Sequence, residues 1–194
     1  MNRRLFLAVG PMGLVGRAAV AAVEGSDDPR FVPTIAGRIG GVPVRLVLTG
    51  SAIRKKYGFN VYAVASYVQE GAAPRDAEGL SRADIAKQLH LIFERDVDGP
   101  TIGQAFRTSI GMSYPAPTFA SELARLERYF LPGGAKHGDH IWLTHIPGVG
   151  LGCLLVGRPG IVIEGVGFAQ AAWGTYLGRR NLGVAIRSGL TSRL

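Results

Sequence analysis

Residues 50–68, with the sequence GSAIRKKYGFNVYAVASYV, are the most informative part of the chain. The second half, residues 59–68, is rich in valine, tyrosine and phenylalanine, which favour extended backbone and predict a strand. Because successive side chains of a strand point to opposite faces, the residues fall into two sets. One face carries Phe59, Val61, Ala63, Ala65 and Tyr67, and the other carries Asn60, Tyr62, Val64, Ser66 and Val68.

Three basic residues, Arg54, Lys55 and Lys56, precede this strand. An arginine between small residues and a tyrosine-rich strand suits a polar anchor in the protein interior. The three cations together also form a pattern typical of a solvated basic corner, which the chemistry alone favours because charged side chains are seldom buried. The residues alone leave both interpretations open.

Alternating apolar residues on either side of this stretch predict further strands. Upstream, residues 37–49 place Val42, Val44, Leu46 and Leu48 on one face. Downstream, strands are predicted over residues 89–95, 140–145, 151–156 and 161–164. Proline- and glycine-containing turns separate the last three.

Apolar spacings of three and four predict helices between and after the strands. Ser81 and Asp84 are candidate caps of a short helix ending at Gln88. Longer helical patterns are formed by Ile102, Phe106 and Ile110, by Phe119, Leu123, Leu126 and Phe130, and by residues 168–177 and 182–190. Strands before and after a helical block predict one α+β domain, with an antiparallel sheet packed against helices.

The composition excludes several classes of protein. The chain has 194 residues, is 47% hydrophobic and carries a net charge of +8. That apolar content is too high for a disordered chain. No apolar run reaches the roughly 18–20 residues of a membrane span. The basic residues are scattered without interleaved aromatics, so we expect no nucleic-acid partner and no stable membrane span.

The first residues have the layout of a bacterial export signal. Arg3 and Arg4 precede an apolar stretch that ends in small residues near position 22, similar to a twin-arginine signal. The sequence therefore predicts an export signal over residues 1–22 and a periplasmic or otherwise exported protein; a frayed amphipathic N-terminus is the alternative. Removal of residues 1–22 leaves 19 basic and 14 acidic residues, which is a net charge of +5. Residues 23–36 are interpreted as an extension, and residues 37–194 as the domain.

The sequence gives little support for a metal site or for a cysteine nucleophile. His137, His140 and His145 lie near Asp139 and are candidate metal ligands. However, His140 and His145 are an odd number of residues apart in a predicted strand, so they face opposite sides. The single cysteine, Cys153, lies in an apolar run and is predicted to be a buried packing thiol. We expect no metal and no cofactor.

The sequence resembles the chalcone isomerase-like superfamily. That family has a Gly-x-Gly-hydrophobic-Arg turn in its first hairpin and a strand ending in an aliphatic-Tyr-aliphatic step. Residues 50–54 match the first motif, with Ala52 where the family often has glycine, and residues 65–68 match the second. The similarity continues through residues 93–97, 138–141, 147–150 and 168–178. It covers about residues 38–190 and is strongest to the bacterial exported branch.

The resemblance implies an open-faced sandwich, in which helices cover a curved antiparallel sheet and a ligand cleft lies between them. Plant chalcone isomerases of the family close a 2'-hydroxychalcone into a flavanone, and non-catalytic relatives bind fatty acids. Arg54 occupies the position that holds the substrate's oxyanions in the enzymes and a carboxylate in the lipid binders. Tyr62 stands at the position of a catalytic threonine, and Thr175 at that of a threonine contacting a flavonoid hydroxyl.

Thr175 also shares a predicted helical face with Phe168, Ala171 and Ala172, so it points inward or bonds its own helix backbone. The family's tyrosine and asparagine on the helix after the third strand have no match here, where Ile102 and Ser109 are the nearby residues.

Two functions from different classes follow from the resemblance. The first is a binding protein for a fatty acid or similar hydrophobic carboxylate, anchored by Arg54 and Tyr62. The alternative is an intramolecular lyase of the chalcone-to-flavanone type, in which Arg54 stabilises substrate oxyanions and Tyr62 assists. A scaffold role in an envelope pathway is a third. In either of the first two, the partner is a hydrophobic small molecule, and the oligomeric state is left open.

Overall fold

The computed structural model describes residues 28–194. Within them, seven strands and five helices form. The strands are β1 (Thr34–Ile39), β2 (Val42–Lys56), β3 (Phe59–Gln69), β4 (Lys87–Phe93), β5 (His140–Ile146), β6 (Gly150–Leu155) and β7 (Ile161–Glu164). The helices are α1 (Ala77–Arg82), α2 (Gly99–Gly111), α3 (Ala120–Phe130), α4 (Val166–Leu177) and α5 (Val184–Leu190). The predicted export signal, residues 1–22, lies outside the described residues, as does the extension up to residue 27.

The seven strands form one antiparallel sheet in sequence order, curled into a half-barrel. Strands that follow one another in sequence are neighbours in the sheet. Short turns join β1–β2, β2–β3, β5–β6 and β6–β7 directly, as antiparallel pairing allows, whereas residues 70–86 and 94–139 connect the other pairs and contain α1, α2 and α3. All five helices contribute buried residues to one core on the same face of the sheet, including Leu80, Ile110, Phe130, Trp173 and Leu190. The predicted α+β open-faced sandwich is therefore confirmed. None of the described helices is both long enough and apolar enough to cross a bilayer.

Both faces of β3 are buried from Ala63 to Val68. Val64 and Val68 belong to the core under the helices, whereas Ala63, Ala65 and Tyr67 belong to a second core on the opposite face. That face is covered in part by the segment before β1: Phe31 is buried there, and the Tyr67 hydroxyl donates a 3.0 Å hydrogen bond to the carbonyl of Val32. The two predicted faces are thus correct for residues 62–68, whereas Val61 lines the same cavity as Tyr62 and Phe59 is exposed.

The prediction of a single strand over residues 37–49 is wrong. β1 ends at Ile39 and β2 begins at Val42, so residues 40–41 form a hairpin turn. Both turn residues are glycines, with positive φ angles of 60° and 84°. A two-residue hairpin turn requires such left-handed backbone, which glycine adopts without steric cost. The Gly-Gly pair interrupts an apolar alternation that otherwise runs through both strands.

The second hairpin turn also differs from the expectation. Residues 50–54, assigned to a turn by the resemblance, lie inside β2, which extends to Lys56 and pairs there with Phe59. The turn residues are Tyr57 and Gly58, with φ angles of 53° and 82°. A non-glycine residue in this left-handed region costs about 1–2 kcal/mol.

The predicted helix ending at Gln88 is wrong as well. Helix α1 begins earlier, because the carboxylate of Asp76 accepts a 2.7 Å hydrogen bond from the Gly79 amide. It ends at Arg82, and the buried Lys87 ammonium closes the end by donating to the carbonyls of Leu80, Ser81 and Ala83. Lys87 is already the first residue of β4.

Close backbone packing fixes the C-terminal helix on the sheet. A Cβ atom at Gly50, whose φ is 147°, would lie 2.1 Å from the carbonyl oxygen of Gly189 in α5. The adjacent Thr49 hydroxyl donates a 2.8 Å hydrogen bond to the Leu190 carbonyl. These contacts hold α5, and with it the α4–α5 connection around Leu182, against β2.

Candidate ligand-binding site

A cavity of about 730 Å³ lies between the inner face of the sheet and helices α2 and α4. This volume falls within the roughly 300–1,000 Å³ that small-molecule sites occupy. Much of the lining is apolar and includes Leu91, Phe93, Ile102, Phe106, Ile141 and Leu182. The site is thus a hydrophobic space that strands β2–β5 and two helices build together.

Arg54 is the most buried of the basic residues that line the cavity. It pairs with Tyr62 across β2 and β3, so both side chains lie on the face under the helices. The guanidinium Nη1 donates a 2.9 Å hydrogen bond to the carbonyl of Leu182 in the α4–α5 connection. Arg54 is half-buried, whereas Lys55 and Lys56 are exposed. Of the three cations, Arg54 therefore lies at the cavity, and the two lysines lie in solvent.

Two tyrosines meet beside this guanidinium. The phenols of Tyr62 and Tyr176 are hydrogen-bonded to each other. Burial raises the pKa of both phenols, and the nearby charge of Arg54 opposes this only in part. Both therefore remain protonated at neutral pH. One hydroxyl hydrogen is used in the bond between them, which leaves the Tyr62 hydroxyl to donate to an oxyanion.

Sequence reasoning did not select Tyr176 as a site residue. It follows Thr175 on α4 and lies within the segment that matches the family, but no pattern distinguished it from a core aromatic. Only the packing of α4 against the inner face of the sheet, mainly over β5 and β6, brings its hydroxyl to Tyr62. In the sequence, the one indication of a role for Tyr176 is that this polar aromatic residue follows Thr175, a predicted ligand contact.

Thr175 is buried and lines the cavity, as its helical face with Phe168, Ala171 and Ala172 predicted. Its hydroxyl donates a 2.7 Å hydrogen bond to the Ala172 carbonyl within its own helix. Both alternatives for Thr175 are therefore observed together: the side chain faces the cavity, and its hydroxyl hydrogen is already bonded to the helix backbone.

All the charged residues that line the cavity are basic. Its lining includes Arg54, Lys56 and Arg95, and within residues 28–194 it includes no aspartate or glutamate. Lys56 and Arg95 are exposed and lie at the cavity mouth, whereas Arg54 lies deeper. Because charges interact more strongly away from bulk water, this arrangement favours an anionic ligand. The α2 residues Ile102 and Ser109 also line the space.

The candidate metal ligands do not converge. His140 and His145 face opposite sides of β5, as predicted: His140 Nδ1 lies 2.8 Å from His90 Nε2, and His145 Nε2 lies 2.7 Å from the Asp84 carboxylate. Within the part of the chain that the structure describes, no three metal-ligating side chains cluster. Cys153 is buried as expected, and burial raises the pKa of its thiol.

Comparisons with known proteins agree with this architecture. No curated protein is similar enough to be counted as a relative. Among solved structures, the chain is similar to a fatty-acid binding protein from Arabidopsis thaliana, with a TM-score of 0.67 and 18% identity over 87% of this chain and 96% of the other. At that identity the likeness supports the fold alone. The model of the chalcone isomerase-like family matches residues 39–191, and the chain therefore belongs to that family.

Proposed function

We propose that this protein binds a fatty acid or a similar hydrophobic carboxylate in the cavity under the helices, with the carboxylate at Arg54. The observation that carries the proposal is an apolar cavity whose charged lining residues are all basic. An apolar space selects a hydrophobic chain, and cations without acidic neighbours select an anionic head. The similar Arabidopsis structure is of a protein that binds fatty acids.

Arg54 has the chemistry to hold the head group. A guanidinium presents a planar fork of donors that matches a carboxylate. One donor bonds the Leu182 carbonyl and orients the group, and the others have no partner among the described residues. Tyr62, directly opposite on β3, offers a hydroxyl to the same carboxylate. The chain of the ligand would then extend past Leu91, Ile102 and Ile141.

Native mass spectrometry of the purified full chain, followed by denaturation and lipid identification, tests the proposal. We expect a bound fatty acid that is lost in Arg54→Ala. The matched control is Arg45→Ala, on the same strand, where the side chain pairs with Glu70 outside the cavity. The control should keep the ligand. Retention of the fatty acid in Arg54→Ala, or failure of the empty wild-type protein to bind added palmitate, would contradict the proposal.

The pairing of Arg54 with protonated phenols favours a second candidate, an intramolecular lyase of the chalcone-to-flavanone type. The guanidinium and Tyr62 could stabilise phenolate and enolate oxygens while the cavity holds nucleophile and enone together. Loss of one such oxyanion donor typically lowers kcat about 10²–10³-fold. Cyclisation of 2'-hydroxychalcone faster than the spontaneous reaction, and its loss in Arg54→Ala, would support this candidate; no acceleration would eliminate it for that substrate.

A further inference from the structure

We propose that the tip of the β2–β3 hairpin, residues 55–59, docks the cavity mouth on the surface of an anionic lipid bilayer. This inference rests on the proposed function and names the partner from which the hydrophobic ligand is collected or to which it is delivered. Residues 55–59 form the hairpin tip.

The hairpin tip exposes two aromatic rings. Tyr57 is 88% exposed and Phe59 68% exposed, more than any other aromatic residue in the described part of the chain. Ile53, on the same hairpin, is 41% exposed. Tyrosine and other aromatic side chains are well suited to the membrane interface, where a ring lies among acyl chains while a polar edge contacts water.

The backbone at the tip makes this exposure unusual. Tyr57 has a φ of 53°. At that position of a two-residue turn, asparagine, aspartate or glycine is favoured. A tyrosine there works against the turn and gains no burial in return. Local strain combined with an exposed ring is a pattern associated with function rather than with stability.

The charge around the tip complements an anionic surface. The whole hairpin, residues 42–69, contains Arg45, Arg54, Lys55 and Lys56 and no aspartate or glutamate. The Lys56 ammonium lies 5.4 Å from the centre of the Tyr57 ring, so cation and aromatic present one combined surface. Lysines close to an anionic leaflet each add to the attraction.

The tip is continuous with the cavity. Lys56 belongs to the hairpin tip and also lines the cavity, as does Val61 two residues beyond the tip. The exposed Arg95, after β4, is another lining residue. A bilayer that contacts the tip therefore also contacts the cavity mouth, and a fatty acid could pass between them with little exposure of its chain to water.

A second basic surface competes with the hairpin tip for this role. A groove of about 530 Å³ is lined by Arg75, Arg179 and Arg187 and by Val184, which is 79% exposed. However, Asp76 also lines this groove, and Arg179 is already paired with Glu78. The groove shares no lining residue with the cavity, so we favour the hairpin tip.

Flotation of the full chain with lipid vesicles tests the proposal. We expect binding to vesicles of phosphatidylglycerol and phosphatidylcholine in equal parts, and much weaker binding to phosphatidylcholine alone. Tyr57→Asn combined with Phe59→Asn should abolish most of the binding, and Lys55→Ala should weaken it about fivefold. Asparagine suits the turn at residue 57 better than tyrosine does, and the Phe59 side chain is 68% exposed and adds little to the core. Loss of binding in the tip variant is therefore not explained by unfolding, and urea denaturation of the variant checks this.

The matched control removes the competing surface instead. Val184→Asn combined with Arg187→Ala should bind the mixed vesicles like the wild type. Undiminished binding by the tip variant, loss of binding by the groove variant, or equal binding to both vesicle types would overturn the proposal. Vesicle binding is measured without fatty acid, whereas palmitate binding by the tip variant is titrated without vesicles. Failure of docking and failure of ligand binding are therefore distinguishable.

Discussion

The guanidinium of Arg54 on β2 donates a 2.9 Å hydrogen bond to the carbonyl of Leu182, 128 residues further along the chain. This bond joins the sheet to the α4–α5 connection at the wall of the cavity. It holds the arginine in one orientation before any ligand arrives, which reduces the entropy lost on binding. The Leu182 amide in turn donates a 2.8 Å hydrogen bond to the Thr175 carbonyl of α4, which fixes the backbone at this point.

The first prediction concerns the shape of the cation. In Arg54→Lys, one ammonium must serve both the Leu182 carbonyl and a ligand carboxylate, without the planar fork. We expect palmitate to bind about tenfold or more weakly, while the charge in the cavity is unchanged. A fluorescent fatty-acid displacement titration measures this, with Arg45→Lys as the control. Equal affinity in Arg54→Lys and wild type would show that charge alone suffices.

The second prediction concerns the tyrosine pair. Tyr176→Phe removes the hydroxyl that bonds Tyr62, which should cost about 0.5–1.5 kcal/mol of stability and weaken ligand binding several-fold. Because burial raises the pKa of both phenols, they should remain protonated through the ordinary tyrosine range. Wild-type affinity is thus expected to stay constant up to about pH 10, with no loss due to phenol ionisation. Titrations of both proteins across pH test this, and a decline in wild-type affinity set by a phenol near neutral pH would refute it.

The third prediction concerns Gly50. In Gly50→Ala, the new methyl group would overlap the backbone of α5, at a residue whose φ is 147°. That backbone conformation is itself unfavourable for alanine. We expect a loss of about 2–4 kcal/mol in the free energy of unfolding, measured by urea denaturation. Gly37→Ala is the control, because a Cβ there meets nothing within 4 Å. A similarly small effect of both substitutions would mean that α5 moves away from β2 without cost.

The fourth prediction concerns stability in acid. His90 is 7% exposed, stacks on Trp142 and bonds His140, and burial lowers its pKa to about 3. The unfolded chain binds a proton at this residue below about pH 6.5, whereas the folded chain does not. Stability should therefore fall as the pH drops from about 6.5 towards 3, by up to about 1.4 kcal/mol per pH unit.

His90→Phe keeps a ring against Trp142 but cannot titrate, so the variant should lose much less stability between neutral and acidic pH. Urea denaturation of both proteins at each pH measures the difference. Parallel pH profiles for the variant and the wild type would show that His90 does not control stability in acid.

Local sequence patterns were sufficient for most of the secondary structure and for the α+β class. The alternation predicted both faces of β3 over residues 62–68, since strand geometry orients successive side chains whatever the strand packs against. The spacing of Phe119, Leu123, Leu126 and Phe130 likewise predicted α3. The predictions went wrong where a local signal had a competitor: Gly40 and Gly41 divide an apolar alternation, and Asp76 caps α1 ahead of Ser81 and Asp84.

The composition of the site, in contrast, depends on the folding of the whole chain. Periodicity gives the face on which Arg54 or Tyr62 lies, but it contains no information about which distant groups reach that face. Curling of the sheet and packing of α4 and α5 bring Tyr176 to Tyr62 and the Leu182 carbonyl to Arg54. These pairings depend on burial of side chains far apart in sequence, and the free energy of that burial is a property of the whole core rather than of any one segment.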